Sequence, residues 1–210
     1  GLSVTAKRKS ISSCKGTTIS LKKKCVSAKQ KRKIGCWKFL ALNQCISKNS
    51  NAIIVSNYEI AMYYEEKGLR VHPMNHGGSW SFDFGRLKYV NAVHTSSFAD
   101  GTYGGQPGGF VLSSEGKNVY IAGDTALTMD MKLIPLTTKL DLAILPIGDN
   151  FTMGVDDAII ASDFVECDKI LGCHYDTFGY IEIDHEDAIR KFKGARKKLH
   201  LLEIGKWIEI

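Results

Sequence analysis

The feature that most limits how this chain can fold is an abrupt change in charge near residue 51. Residues 1–51 contain 13 lysines or arginines and no Asp, Glu, His or Pro, whereas residues 52–210 contain 15 basic and 22 acidic side chains. So many uncompensated positive charges cannot be buried cheaply in a core. We therefore expect a basic leader of unclear structure over residues 1–51 and a globular domain over residues 52–210, which is long enough to form its own core.

The basic leader allows two interpretations. Its clusters at residues 7–9, 22–24 and 31–33 could neutralise the phosphates of a nucleic acid or another polyanion, although few aromatic residues accompany them. The alternative is a solvated segment without a binding role. The four cysteines of the leader lack both a C-x-x-C pair and a nearby histidine, so they match no zinc pattern, and we expect them to be reduced.

Composition narrows the class of protein further. Hydrophobic residues make up 44% of the chain and charged residues 24%, which is typical of a globular protein. No apolar run approaches the roughly 18 residues that a membrane-spanning helix needs, and no signal-peptide pattern follows the N-terminus. We expect a cytoplasmic protein without a membrane span, and the sequence does not indicate its oligomeric state.

Residues 52–210 alternate between short apolar runs and amphipathic segments. The sequence predicts strands at residues 52–55, 69–72, 80–82, 87–93, 110–112, 119–121, 140–146, 169–173, 201–204 and 207–210. It predicts helices at residues 57–66, 156–165 and 184–199, with Asn57 and Asp184 as caps at the first and last of them. Hairpins come first and strand–helix units follow, which indicates a mixed α/β domain built in layers.

Three side chains with metal-binding chemistry follow apolar strands directly. His94, Asp124 and His174 stand where the predicted strands 87–93, 119–121 and 169–173 give way to loops. Rigid scaffolds commonly place reactive groups at strand ends, and imidazole and carboxylate ligands suit zinc or a similar divalent ion. Each signal alone has a structural alternative, since a lone histidine can be a packing residue and Gly123-Asp124-Thr125 can be a plain turn.

Longer sequence blocks carry a resemblance to a known family. They are NYE at 57–59, VHPMN at 71–75, GGSW at 77–80, AVHTSSF at 92–98, DGTYGG at 100–105, AGDT at 122–125, LPIGDNFTMG at 145–154 and HYDTF at 174–178. With these blocks, residues 52–210 resemble the small metal-dependent hydrolases of the metallo-β-lactamase superfamily, in the branch related to ascorbate-6-phosphate lactonases.

The resemblance implies a four-layer αββα sandwich with a binuclear metal site at one edge of its sheets. It makes His94 a ligand of the first metal, Asp124 the carboxylate that bridges both metals, and His174 a ligand of the second. The family also has an H-x-H-x-D-H motif that supplies four ligands, and residues 1–51 cannot match it because they contain no His or Asp. A shifted reading frame upstream of about residue 51 would explain this absence together with the charge split.

The function implied by the resemblance is metal-dependent hydrolysis of an ester, lactone or phosphoester, impaired by the missing ligands. We expect Zn²⁺, with Mn²⁺ or Fe²⁺ as alternatives, and at most one ion where the family binds two. The expected partner is a small-molecule substrate. The alternative function is a catalytically inactive domain whose basic leader binds nucleic acid or another polyanion.

Other polar residues have weaker support as functional groups. The remaining histidines are expected at the surface or in a first helical turn: His72, His76, His185 and His200. Asp149 and Asn150 are candidates for lining the cleft. Cys173 is expected to face the core rather than the site, because neighbouring residues of a strand point to opposite faces.

Overall fold

The structure, a computed structural model, describes residues 3–5, 51–98, 100–203 and 205–210. The expectations for the leader, including polyanion binding and reduced cysteines, fall on residues outside this described part. The described leader residues are Asn51 and Ser3–Thr5, which forms strand β1. No helix in the described ranges is both long and apolar enough to cross a membrane.

The described residues form eleven strands and three α-helices. In chain order these are β1 (Ser3–Thr5), β2 (Ile54–Asn57), α1 (Tyr58–Glu65), β3 (Val71–Met74), β4 (Ser79–Phe82), β5 (Gly85–Asn91), β6 (Gly108–Ser114), β7 (Lys117–Ile121), β8 (Leu142–Pro146), α2 (Val155–Phe164), β9 (Lys169–Cys173), α3 (His185–Gly194), β10 (Lys198–His200) and β11 (Trp207–Glu209). Two short 3₁₀ turns lie at Met129–Leu133 and Gly179–Ile181.

Seven of these strands form one mixed sheet in the order β10-β9-β8-β7-β6-β5-β4. Strands β4 to β7 pair antiparallel, whereas β7 to β10 pair parallel. Strands β5, β7, β8 and β9 therefore run in the same direction and end at the same side of the sheet. We call the loops that follow these four strands the carboxyl edge.

Each face of the large sheet carries its own apolar core. On one face, Tyr120 of β7 and Ile170 of β9 pack in a cluster with Phe192 of α3. On the other face, Phe110 of β6 packs with Met74 of β3, and β2 and β11 add partly buried side chains to this cluster. The second face is thus covered by the parallel pair β2–β3 and the antiparallel pair β1–β11, and α1 contacts β2 and β3.

Local sequence signals account for several element ends. The Asn57 side chain caps α1 by accepting a hydrogen bond from the Ile60 amide at 3.0 Å, and Asp184 caps α3 in the same way from the Asp187 amide at 3.0 Å. The predicted strand at residues 169–173 coincides with β9. These predictions are confirmed. They could be made from the sequence because caps and buried apolar runs depend on few neighbouring residues.

The predicted ends of the last helix and the next strand are wrong. Helix α3 ends at Gly194 rather than near Leu199, and Arg196 turns the chain with a φ of 61°. Lys198–His200 then forms β10 against β9, and residues 201–203 lie outside any strand. Parallel pairing with a buried strand outweighs the helix propensity of these residues, which sequence periodicity alone cannot show.

Candidate metal centre at the carboxyl edge

The fold brings two of the predicted ligands, Asp124 and His174, face to face. The His174 Nε2 atom lies 3.8 Å from Asp124 Oδ2, and the two side chains are only 15% and 25% exposed. This distance exceeds a hydrogen bond. Among the described residues, no group forms a hydrogen bond with the other ring nitrogen of His174, the buried Nδ1. The pair therefore holds an imidazole nitrogen and a carboxylate oxygen opposite each other across a gap too wide for a hydrogen bond.

The geometry of this pair fits two ligands of one divalent ion. Two donors bound at tetrahedral angles to Zn²⁺, with bonds of about 2.1 Å, lie about 3.4 Å apart. The observed 3.8 Å between Asp124 and His174 is close to this value. Across the described ranges, no three His, Cys, Asp or Glu side chains come close enough to hold an ion together. The structure therefore brings together one carboxylate and one imidazole.

His94 lies at the same edge and is tied to the Asp124 loop through the backbone. The amide of Ala126 donates to the carbonyl of Val93 at 3.0 Å, which places the segment after β5 beside the segment after β7. The half-buried His94 ring has its Nδ1 3.0 Å from the Thr95 carbonyl oxygen. A carbonyl only accepts, so this contact is a hydrogen bond in the tautomer with the proton on Nδ1, which is the tautomer that places the lone pair for a metal on Nε2.

Thr125 is the buried residue that joins three loops of the carboxyl edge. Its hydroxyl accepts a hydrogen bond from the Val93 amide at 2.9 Å and donates to the Ala126 carbonyl at 2.8 Å. Its own carbonyl accepts from the Met153 amide, in the loop after β8, at 3.1 Å. Sequence reasoning missed this role, since a threonine after an aspartate in a turn gives no sign of its long-range contacts.

The loop that carries His174 is held by a second pair that sequence reasoning did not connect. One Asp176 carboxylate oxygen accepts from the Ile183 amide at 3.1 Å, and the other lies 2.5 Å from Nε2 of His185 at the start of α3. These contacts close the segment between β9 and α3. His185 was expected in the first turn of this helix, which is confirmed, but its contact with Asp176 had no local signal.

Close packing also fixes the backbone of His174. Its φ is 55°, a left-handed conformation that few non-glycine residues adopt. Gly148, in the loop after β8, lies so near that an added Cβ would overlap the His174 carbonyl oxygen. The residue at position 148 must therefore be glycine for the two loops to approach each other.

The glycine-rich loop before β6 is pinned by buried and half-buried side chains. The Asn57 amide group donates to the carbonyl oxygens of Gly104 at 2.7 Å and Gln106 at 3.1 Å. The Ser96 hydroxyl also donates to Gly104, and the Tyr89 hydroxyl donates to Gln106. This network fixes the segment that begins at His94.

The weaker candidates take structural positions. His72 packs against the rings of Trp80 and Phe82 at 4.9 and 5.0 Å, so it is a half-buried packing residue rather than a plain surface residue. His76 stacks on Tyr89 at 4.9 Å and its Nε2 donates to the Pro107 carbonyl oxygen at 2.9 Å. Neither ring contributes a ligand to the Asp124–His174 pair.

Asp149 and Asn150 are exposed in the loop after β8, both with positive φ. No contact with Asp124 or His174 is shown for them, so their place in the cleft stays a prediction. Burial raises the pKa of the Cys173 thiol, and the neighbouring Asp124 carboxylate raises it further, so this thiol stays protonated at neutral pH.

Comparisons with known proteins agree with this architecture. Residues 45–175 match the model of a family described as Beta-lactamase superfamily domain. A UPF0173 metal-dependent hydrolase of Christiangramia forsetii is 74% identical over 167 residues, covering 80% of this chain and 74% of the relative. A UPF0173 metal-dependent hydrolase of Methylacidiphilum infernorum is 49% identical over 160 residues, covering 76% and 71%.

A solved structure gives the same result for the fold. Igni18, a metallo hydrolase from Ignicoccus hospitalis, superimposes with a TM-score of 0.72 at 28% identity, covering 79% of this chain and 72% of its own. The α/β metallo-β-lactamase-like fold predicted from the resemblance is confirmed. With a family model across most of its domain and a relative at 74% identity, the chain belongs to the UPF0173 metal-dependent hydrolases of the beta-lactamase superfamily.

Proposed function

We propose that this chain hydrolyses an ester, lactone or phosphoester with the help of one divalent ion held by Asp124 and His174. The observation that carries the proposal is the pair itself, two largely buried side chains with 3.8 Å between His174 Nε2 and Asp124 Oδ2. His94 is the third proposed ligand, because the hydrogen bond from the Ala126 amide to the Val93 carbonyl holds its segment beside the Asp124 loop.

The donor set supports Zn²⁺, with Mn²⁺ and Fe²⁺ as alternatives, since two imidazoles and one carboxylate suit each of these ions. We propose no more than one ion. Residues 1–51 contain no His, Asp or Glu that could complete a second site. In the family that the sequence resembles, His94 and His174 serve different metals, about 4 Å apart, so sharing one ion requires the two histidines to close inward by about 1–2 Å.

The residues of the carboxyl edge position the reactants. A divalent ion at this place supplies Lewis acidity toward a carbonyl or phosphoryl oxygen and lowers the pKa of water. Asp124 contributes the negative charge that attracts the cation, and Thr125 and Gly148 fix the backbones of the ligand loops. Turnover should be low, because few protein groups remain to orient a nucleophile and a misplacement of about 1 Å can cost a hundredfold in rate.

Hydrolysis by the full chain, stripped with EDTA and reloaded with Zn²⁺, tests the proposal. The panel contains a carboxylic ester, a lactone and a phosphodiester. We expect slow hydrolysis of at least one compound that returns with Zn²⁺ and is lost in Asp124→Asn. The matched control is Asp168→Asn, because Asp168 is 78% exposed, precedes β9 at the opposite edge and contacts Lys197.

Three outcomes would contradict the proposal. Hydrolysis that is absent for all three substrate classes, or unchanged in Asp124→Asn, would refute the assignment of the catalytic metal site to Asp124 and His174. Fast turnover with two bound ions would show that ligands exist beyond His94, Asp124 and His174. A chain that binds no Zn²⁺ but binds DNA in a salt-sensitive manner would favour the inactive, polyanion-binding alternative.

A further inference from the structure

Where the loops of the carboxyl edge leave the strand ends, they carry acidic side chains but no lysine or arginine. The segments that directly follow β5, β7, β8 and β9 are residues 92–107, 122–131, 147–154 and 174–184, and none of them contains a lysine or arginine. Two lysines lie further along the connection after β7: Lys132 has its Nζ over the Phe164 ring, and Lys139 contacts Asn118 near the start of β7. The same loops contain several carboxylates: Asp100, Asp124, Asp130, Asp149, Asp176, Glu182 and Asp184. The described segments next to the strand ends therefore carry a net negative charge, which disfavours anions.

This charge distribution argues against a phosphorylated or carboxylated substrate. Proteins recognise phosphate and carboxylate groups with Arg or Lys side chains, most often as bidentate or charge-assisted hydrogen bonds. The described loops around Asp124 and His174 offer no such group. An uncharged substrate needs none and does not suffer the repulsion.

A patch of aromatic rings lies at the same edge. We define the aromatic patch as Phe151, Phe178 and Tyr180, which come from two different loops and lie with ring centroids 5.9, 6.3 and 6.4 Å apart. Phe151 is 49% exposed, Tyr180 is 76% exposed and Phe178 is half-buried. Large apolar rings gathered at the surface commonly mark a binding site.

The aromatic patch lies in the loops after β8 and β9, and the second of these loops also carries His174. Phe178 follows His174 by four residues, and Phe151 lies in the loop whose Gly148 packs directly against the His174 carbonyl. Asp176 pins the intervening segment through Ile183 and His185, so the loop that carries Phe178 and Tyr180 is held in place before any ligand arrives. A preformed apolar surface beside a reactive centre binds ligands at low entropic cost.

We propose that the substrate is an uncharged ester or lactone that carries an apolar, preferably aromatic group, and that this group lies on the aromatic patch. This inference rests on the proposed function, because it assumes that the chain cleaves an ester bond. Binding of the apolar group to the aromatic patch can be measured without turnover. It selects among the three substrate classes and rejects the phosphoester.

Binding of four small probes to the full chain tests the inference without metal or turnover. Phenylacetamide is neutral with a ring, acetamide is neutral without one, and phenylacetate and phenyl phosphate are anionic with a ring. Dissociation constants are measured by ligand-observed NMR in EDTA, so that no ion attracts the anions. We expect phenylacetamide to bind about tenfold more tightly than each of the other three, because burying a ring contributes at least this much.

Substitutions in the aromatic patch test whether the phenyl ring of the probe binds there. Tyr180→Ala and Phe178→Ala should each weaken phenylacetamide binding by about three- to tenfold. Tyr180 is mostly exposed, so its variant keeps the test valid if Phe178→Ala fails to fold. The matched control is Trp80→Ala, since Trp80 is 54% exposed on the edge strand β4, four strands away from β8.

Each contrary result overturns the inference. Phenyl phosphate or phenylacetate binding as tightly as phenylacetamide would reject the preference for uncharged ligands. Equal binding of acetamide, binding that is unchanged in the Tyr180 and Phe178 variants, or no binding of any probe would reject the aromatic patch as the binding surface. A zinc-dependent phosphodiesterase activity would leave the proposed hydrolase intact and refute this inference alone.

Discussion

Replacing Thr125 by valine should loosen the carboxyl edge where its loops meet. The buried Thr125 hydroxyl makes two hydrogen bonds, from the Val93 amide at 2.9 Å and to the Ala126 carbonyl at 2.8 Å. Valine keeps the volume but loses both bonds, each with a net contribution of about 1 kcal/mol. We expect the free energy of unfolding to fall by about 2 kcal/mol and Tm by about 4–8 °C.

A second variant, Thr125→Ser, distinguishes an effect on the position of the ligand loops from an effect on the stability of the fold. Serine keeps the hydroxyl and loses a buried methyl group, which costs about 1 kcal/mol, so urea unfolding shows a loss of stability in both variants and cannot by itself isolate the effect on the ligand loops. Zinc affinity should differ: residues that orient ligands typically change it by about 10–100-fold, so valine should lower it by at least tenfold, whereas serine retains it. Calorimetric titration measures this. Unchanged stability and zinc affinity in Thr125→Val, or an equal loss of affinity in Thr125→Ser, would refute the reasoning.

Three further predictions concern other supports of the fold. Asn57→Ser keeps a cap for α1 but removes the two donors to the glycine-rich loop, so urea unfolding should show a loss of about 2 kcal/mol, and a change near zero would contradict it. Gly148→Ala should push the His174 carbonyl away, lowering stability by about 1–3 kcal/mol in thermal unfolding and weakening zinc binding in calorimetry. Burial lowers the pKa of His200, so the unfolded state binds more protons below about pH 6.5. Stability in urea should therefore fall from pH 7 toward pH 5, and His200→Gln should flatten this slope.

Local features of the fold could be predicted from the sequence because they depend on nearby residues. The caps at Asn57 and Asp184 and the strand β9 follow from side-chain chemistry and apolar runs within a few positions. The end of α3 could not be predicted in this way. There, pairing of Lys198–His200 with β9 decides the structure, and that partner lies about thirty residues away in sequence.

The candidate site shows the same division between local and long-range information. His94, Asp124 and His174 were identified from their positions after apolar strands, and the structure brings Asp124 and His174 together while placing His94 at the same edge. The groups that hold these loops were missed. Thr125 and Asp176 act through partners that are distant in sequence or unremarkable in type, so no periodicity or spacing points to them.

Whether Asp124 and His174 hold the same ion is tested most directly by the zinc content of the full chain. After incubation with Zn²⁺ and removal of the free ion, elemental analysis should find no more than about one zinc per chain. Asp124→Asn and His174→Ala should each lose this zinc, and Asp168→Asn should retain it. Two tightly bound ions per chain, or wild-type zinc content in both Asp124→Asn and His174→Ala, would contradict the proposed centre.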